Sequence, residues 1–181
     1  MDDIVLNLAK ALNSNNVLWG IGGSYLLKAY GIVEEVHDLD IIVAENDISK
    51  VIQVLDAIAE RKPRPVKEEY KTKHFYVYSY DGLSIDVMSA FRIIHTTGIY
   101  EFVLDEMSIV ERRNINNIKI PFTSLEDWLI AYKLMKGRES KIEMIENYLK
   151  SAGIRHKNLL ERNLKQELTP EVRVYIEKLM G

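Results

Sequence analysis

The sequence predicts an α/β fold of the α+β kind, in which a mixed sheet flanked by helices is followed by a helical C-terminal region. Two observations support this. Short apolar runs of strand length alternate with segments of helical periodicity up to residue 122, and only helical periodicity follows. We therefore predict a first domain at residues 1–122 and a helical region at residues 123–181 that packs on it.

The first five elements follow from apolar spacing and from turn residues. Apolar side chains recur every three to four residues in the helical segments, and short apolar runs mark two buried strands. The predicted elements are a helix at 2–13, a strand at 17–21, a helix at 24–30, a strand at 39–44 and a helix at 47–61. Gly31 is typical of a helix C-terminus, and Asn46 or Asp47 could cap the third helix.

Two hairpins are predicted in the rest of the first domain. Strand-like runs at 74–80 and 83–88 flank an Asp81-Gly82 turn, which is a strong hairpin signal. A second pair of runs, at 108–113 and 118–122, flanks an asparagine-rich turn.

The C-terminal region is predicted to be helical throughout. Thr123 or Ser124 is placed to cap a helix that runs to Met135, and Gly137 ends or kinks that helix. Three more helices are predicted at 139–151, 156–167 and 170–180, the last with Pro170 at its first helical position.

Composition limits the class of protein. The 181 residues are 47% hydrophobic and carry a net charge of −3, which is typical of a folded domain and gives no general attraction to nucleic acid or anionic membrane. The chain has no cysteine, which excludes disulfides and thiolate metal sites. No signal peptide or membrane-spanning run is recognised, so we predict a cytoplasmic protein without membrane contact. The oligomeric state stays open.

Three aspartates form a candidate metal site. Asp38 and Asp40 are two residues apart on a predicted strand and therefore point to the same face. Asp86 lies within a later apolar strand, where an unpaired carboxylate would be costly. Carboxylate oxygens on adjacent strands are suitable ligands for Mg²⁺ or Mn²⁺. Each aspartate alone could instead cap a turn, pair with a lysine or accept backbone hydrogen bonds.

Upstream of these aspartates, Gly22-Gly23-Ser24 forms a turn between a strand and a helix. Glycines allow phosphate to approach the backbone, and a helix N-terminus favours an anion. Ser24 could cap the helix or bind a phosphate oxygen. Such turns are common in loops, so this motif is weak without the aspartates.

The glycine turn, the Asp38-Leu39-Asp40 motif and the later Asp86 together resemble the DNA polymerase β-type nucleotidyltransferase superfamily, especially its small prokaryotic minimal, antibiotic-modifying and toxin-type members. The resemblance implies a mixed nucleotidyltransferase-type sheet. It also implies Mg²⁺-dependent transfer of a nucleoside monophosphate from a nucleoside triphosphate (NTP) to an acceptor hydroxyl, with release of pyrophosphate.

The resemblance also implies roles for single residues. The glycine turn would bind the triphosphate through Gly22, Gly23 and Ser24. Asp38, Asp40 and Asp86 would be catalytic metal ligands, with Asp86 also helping to deprotonate the acceptor. Lys133, on the helix after the catalytic domain, would contact nucleotide phosphate, with Arg138 as a further candidate; both could equally be solvated charges.

The acceptor is left open between a small molecule, an RNA end such as tRNA, and a protein side chain. Tyrosines at 70–80, interleaved with Lys67, Lys71 and Lys73, could hold nucleic acid or simply cover a sheet. Relatives often carry a basic residue and a threonine before the paired aspartates, where this chain has Glu34-Glu35. The alternative is therefore a catalytically inactive module of the same fold that binds nucleotide or a partner.

Overall fold

The centre of the molecule is a mixed β-sheet. The structure is a computed structural model that describes residues 2–64 and 71–181. Its strands are β1 (Trp19–Ile21), β2 (Asp38–Val43), β3 (Glu60–Lys62), β4 (His74–Tyr80), β5 (Leu83–Ser89), β6 (Phe91–His95), β7 (Gly98–Phe102), β8 (Glu111–Ile115) and β9 (Ile118–Phe122). Its helices are α1 (Asp2–Ser14), α2 (Gly23–Ala29), α3 (Ile48–Ile58), α4 (Leu125–Leu134), α5 (Glu139–Ala152), α6 (Lys157–Asn163) and α7 (Pro170–Met180).

The strand order explains how distant segments meet. Seven strands form one sheet in the order β3-β4-β5-β2-β1-β9-β8, and β6 pairs with β7 in a separate ribbon. The β2–β5 and β1–β9 pairs are parallel, whereas the other pairs are antiparallel. This mixed sheet with a helical C-terminal region confirms the predicted fold class.

Alternation along β2 separates the core from the candidate site. Leu39 and Ile41 are fully buried, whereas Asp38 and Asp40, which alternate with them, are only partly buried. One hydrophobic cluster extends from α1 through the sheet to the C-terminal helices. The division into domains at residues 122 and 123 stays a prediction.

Several local predictions are confirmed. The Asp81-Gly82 turn joins β4 to β5, and Gly31 and Gly137 have positive φ angles of 70° and 68° after α2 and α4. Ser124 is the cap of α4, since its hydroxyl accepts a 2.9 Å hydrogen bond from the Asp127 backbone N–H.

Other local predictions were wrong. The carboxylate of Asp47 does not cap α3; it accepts a hydrogen bond from the Leu18 backbone N–H at 2.9 Å instead. The third helix ends at Ile58, because the chain then pairs with β4 as the short strand β3. The β6–β7 hairpin was not predicted, since its two loop residues are Thr96 and Thr97 rather than an Asn-Gly or Asp-Gly pair.

Across the described residues, no helix is both long and apolar enough to cross a membrane.

Candidate active site

The three predicted aspartates lie on two neighbouring strands. Because β2 and β5 are parallel, Asp86 lies directly opposite Asp40, and Asp38 lies opposite Ser84. Paired residues on adjacent strands point to the same face of a sheet, and so do residues two apart on one strand. All three carboxylates therefore project from one face.

This arrangement changes the acidity of Asp40. Burial, together with the negative charges of Asp38 and Asp86, raises the pKa of the Asp40 carboxyl to about 7. Lys141 and Arg138 act in the opposite direction but do not outweigh these effects. A carboxyl in this state favours either a proton or a cation.

The glycine turn packs tightly between two side chains. A Cβ atom on Gly23, which has a φ of +55°, would overlap the Asp40 carboxylate. A Cβ atom on Gly22 would overlap the indole of Trp128. The indole N–H donates to the Thr123 hydroxyl at 2.9 Å, so the Trp128 ring behind the glycine turn is itself held in place. Both glycines are required by the packing around the carboxylates as well as by any phosphate that approaches the turn.

Two cations from the C-terminal region face the carboxylates. Lys141 donates from Nζ to Ser24 Oγ at 2.7 Å. Arg138 has a buried Nε with no hydrogen-bond partner among the described residues. Both cations lie near the ring of Tyr132, at 5.4 Å for Lys141 Nζ and 5.9 Å for Arg138 Cζ. Burial and the neighbouring Arg138 lower the pKa of Lys141, so an additional anion would be favourable here.

A cavity of about 150 Å³ joins these groups. Its lining combines carboxylates, two cations and a largely apolar wall. The lining residues are Asp38, Asp40, Thr72, Phe75, Asp86, Met88, Phe91, Trp128, Tyr132, Met135, Arg138 and Lys141. The site therefore has opposite charges within one concave surface, which suits a ligand that is itself anionic but binds cations.

Lys133 is placed elsewhere. Its ammonium pairs with Glu146 Oε1 at 2.8 Å and lies 3.7 Å from the centroid of the Tyr175 ring. It is not among the residues that line the cavity. The predicted contact of Lys133 with nucleotide phosphate stays a prediction; the lysine that lines the cavity is Lys141.

The donor chemistry fits a divalent cation, although the side chains are not gathered around one point. Within residues 2–64 and 71–181, no three His, Asp or Glu side chains are close enough to bind one metal ion together. Burial and the charges of Asp38 and Asp86, which raise the pKa of Asp40, nevertheless place hard oxygen ligands next to one another, and this is the type of site that Mg²⁺ occupies with substrate phosphates.

Comparison with known proteins identifies the family. Residues 4–150 match the family described as aminoglycoside-2''-adenylyltransferase. The chain belongs to this family. It is a nucleotidyltransferase, as the sequence resemblance predicted. A comparison with curated proteins finds no match.

Solved structures agree on the fold of this nucleotidyltransferase. A Thermotoga maritima protein described as a nucleotidyltransferase is 23% identical, with a TM-score of 0.60 over 82% of this chain and 92% of its own. ANT(2'')-Ia in complex with adenylyl-2''-tobramycin is 12% identical, with a TM-score of 0.58 over 99% and 98% of the two chains. The lincosamide antibiotic adenylyltransferase LnuA, bound to lincomycin, is 15% identical, with a TM-score of 0.54 over 81% and 96%.

Sequence reasoning missed part of the site. It did not assign a role to Lys141, which lies 117 positions from Ser24 in the sequence. It also did not identify Trp128 as the support of the glycine turn, since an indole on an apolar helix is ordinary core. The sequence signal for Lys141 was its position three residues after Arg138, which was already a candidate for phosphate contact.

The tyrosine-rich strand packs against the protein. Tyr78 is fully buried and its hydroxyl donates to Asp56 at 2.7 Å, and the ring of Tyr76 lies 4.7 Å from the Arg61 guanidinium carbon. This supports the sheet-covering interpretation of that strand. Two residues of the hypothetical nucleic-acid surface, Lys67 and Tyr70, lie outside the described residues.

Proposed function

We propose that this nucleotidyltransferase transfers a nucleoside monophosphate from an NTP to a hydroxyl group of a small molecule, with Mg²⁺ or Mn²⁺ and with release of pyrophosphate. The observation that carries the proposal is the cavity in which Asp38, Asp40 and Asp86 face Lys141 and Arg138. A triphosphate with its metal ion complements both sets of charges.

The cations and the glycine turn are suited to the triphosphate. Lys141 already holds Ser24 Oγ, and exchanging this neutral partner for phosphate oxygens would strengthen the contact. The unpartnered Nε of Arg138 supplies a second donor in the same cavity. Together they would neutralise the charge that develops on the departing pyrophosphate.

The carboxylates are suited to the metal and to the acceptor. Asp38, Asp40 and Asp86 would hold the divalent cation, which when bound neutralises phosphate charge and polarises the reacting groups. Asp86 would take the proton of the acceptor hydroxyl. The hydroxyl oxygen forms a bond to the α-phosphorus while the bond from the α-phosphorus to the bridging oxygen breaks, and pyrophosphate leaves.

Family membership favours a small hydroxyl compound over an RNA end or a protein side chain. The matched family is named for adenylyl transfer, and two structural neighbours carry an adenylylated or bound antibiotic. ATP is therefore the first nucleotide to test. The cytoplasm, where such triphosphates are abundant, remains the proposed location.

The proposal is tested by measuring pyrophosphate release from each of the four NTPs with Mg²⁺ or Mn²⁺. A cellular small-molecule extract serves as the source of acceptor, and the same extract without the protein is not expected to release pyrophosphate. We expect release that requires protein, metal and extract together. Nucleotide binding without release under any of these conditions would instead support the inactive binding module.

A further inference from the structure

The layout of the cavity also indicates the chemical class of the acceptor. Provided that the proposed function holds, we propose that the acceptor is an uncharged hydroxyl compound that carries a planar apolar group beside the reacting hydroxyl. It is not a polycationic sugar. The argument rests on the order of the strands, the residues beyond Asp86 and the local charge.

The strand order gives the site a direction. Across the sheet, β1, β2, β5 and β4 are successive neighbours, so the glycine turn after β1, the paired aspartates on β2 and Asp86 on β5 follow one another. In phosphoryl transfer the attacking and leaving oxygens lie roughly in line on opposite sides of the phosphorus. If the triphosphate lies against Ser24 and Lys141 at the β1 side, the acceptor enters from the β5 and β4 side.

The surface on that side is apolar and partly aromatic. Met88 lies two residues after Asp86 on β5 and therefore shares its face, and Phe75 on β4 is its direct partner. Phe91, at the start of β6, and Met135, after α4, complete the wall around this part of the cavity. Apolar side chains gain from contact with an apolar group and give an ammonium group no hydrogen-bond partner.

The charges near this wall disfavour a polycation. Among the described lining residues, the carboxylates are the three aspartates already assigned to metal and proton transfer. The guanidinium of Arg64 lies over the Phe75 ring, 5.3 Å from its centroid, which adds a positive charge beside this residue of the wall. An acceptor with several ammonium groups would find no further carboxylate among the lining residues that the structure describes.

The test uses the full chain and two matched glucosides. Binding of phenyl β-glucoside and methyl β-glucoside is measured by calorimetry with Mg²⁺ and a non-hydrolysable ATP analogue present. We expect the phenyl compound to bind about tenfold more tightly, because the ring leaves water for an apolar wall. Tobramycin, the polycationic probe, is expected not to displace it.

Variants locate the binding. Met88→Gln introduces a polar group of similar length into the wall and is expected to reduce the tenfold preference to about threefold, with ATP-analogue affinity unchanged. Met144→Gln, at an exposed methionine on α5, is the matched control and should keep the full preference.

Each contrary result has a distinct meaning. No preference for the phenyl compound, or displacement by tobramycin, would overturn the proposal. If the ATP analogue blocks phenyl glucoside but inorganic tripolyphosphate with Mg²⁺ does not, the wall binds the nucleobase and the proposal is wrong. Failure of the proposed function itself is seen separately, as absence of Mg²⁺-dependent nucleotide binding and pyrophosphate release.

Discussion

Two aspartates in this molecule, Asp40 and Asp127, have opposite kinds of surroundings. Asp127 on α4 is buried, and its carboxylate accepts hydrogen bonds from Asn163 Nδ2 at 2.7 Å and from Arg162 Nη2 at 3.1 Å. Asp40 on β2 faces two further carboxylates. Burial and these two charges raise its pKa to about 7, although two cations nearby act in the opposite direction.

The difference separates a structural charge from a functional one. Burial also raises the pKa of Asp127, but the positive charge of Arg162 and the hydrogen bonds from Asn163 and at Ser124 oppose the rise. The folded chain therefore supplies hydrogen-bonded partners for Asp127, which joins α4 to α6. It places Asp40 beside two further carboxylates instead, where a bound cation would be favourable.

The largest expected effect is on catalysis. Asp86→Asn keeps the size of the side chain but cannot accept the acceptor proton, so we expect transfer to fall by about 10³-fold. The measurement is the initial rate of pyrophosphate release. Asp81→Asn, at an exposed turn position between β4 and β5, is the control and should retain the wild-type rate. Equal rates for the two variants would contradict the role of Asp86.

The next effect concerns the stability that Asp127 contributes through its buried ion pair with Arg162. Asp127→Asn leaves Arg162 without its buried partner charge, and we expect the free energy of unfolding to fall by about 3 kcal/mol in a urea titration. Glu161→Gln, at an exposed position on α6, should change it by less than about 0.5 kcal/mol. A loss of stability no larger than that of the control would show that Asp127 is not the anchor of this helix.

An effect of opposite sign is expected at Asp40. Its folded-state pKa is raised, so the folded protein binds a proton more tightly than the unfolded chain and loses stability as the pH rises from about 4 to 7. Without metal, Asp40→Asn should therefore be more stable than the wild type at pH 8, by at most about 4 kcal/mol. The two proteins should be equally stable below pH 4. Thermal unfolding in chelator across this range is the measurement, and a variant that is less stable at pH 8 would contradict the cause assigned to the shift.

The smallest effect concerns the cations. Lys141→Met removes one phosphate ligand and should weaken binding of a non-hydrolysable ATP analogue by about tenfold. Lys150→Met, at an exposed lysine of the same helix, serves as the matched control in the calorimetric titration. If Lys133→Met weakens binding more than Lys141→Met, the original prediction for Lys133 is correct and the assignment to Lys141 is not.

Much of the fold and part of the site could be predicted because their signals are local. Strand alternation places Asp38 and Asp40 on one face, and the Asp81-Gly82 turn specifies the hairpin that carries Asp86. β3 and the β6–β7 hairpin were missed because they lack such local signals. The residues of β3 are charged and exposed, so only its pairing with β4 defines it as a strand.

The sequence by itself determined the mixed α/β class, the helical C-terminal region and the types of residue that carry the chemistry. These depend on periodicity, turn residues and the spacing of side chains along one element. Only the tertiary structure decided that Asp86 lies opposite Asp40 and that Lys141 reaches Ser24. Strand register and contacts between distant helices arise from burial of the whole core, which no local pattern specifies. For the same reason, only the folded chain shows that Asp127 accepts hydrogen bonds from Arg162 and Asn163 and that Asp40 faces two further carboxylates.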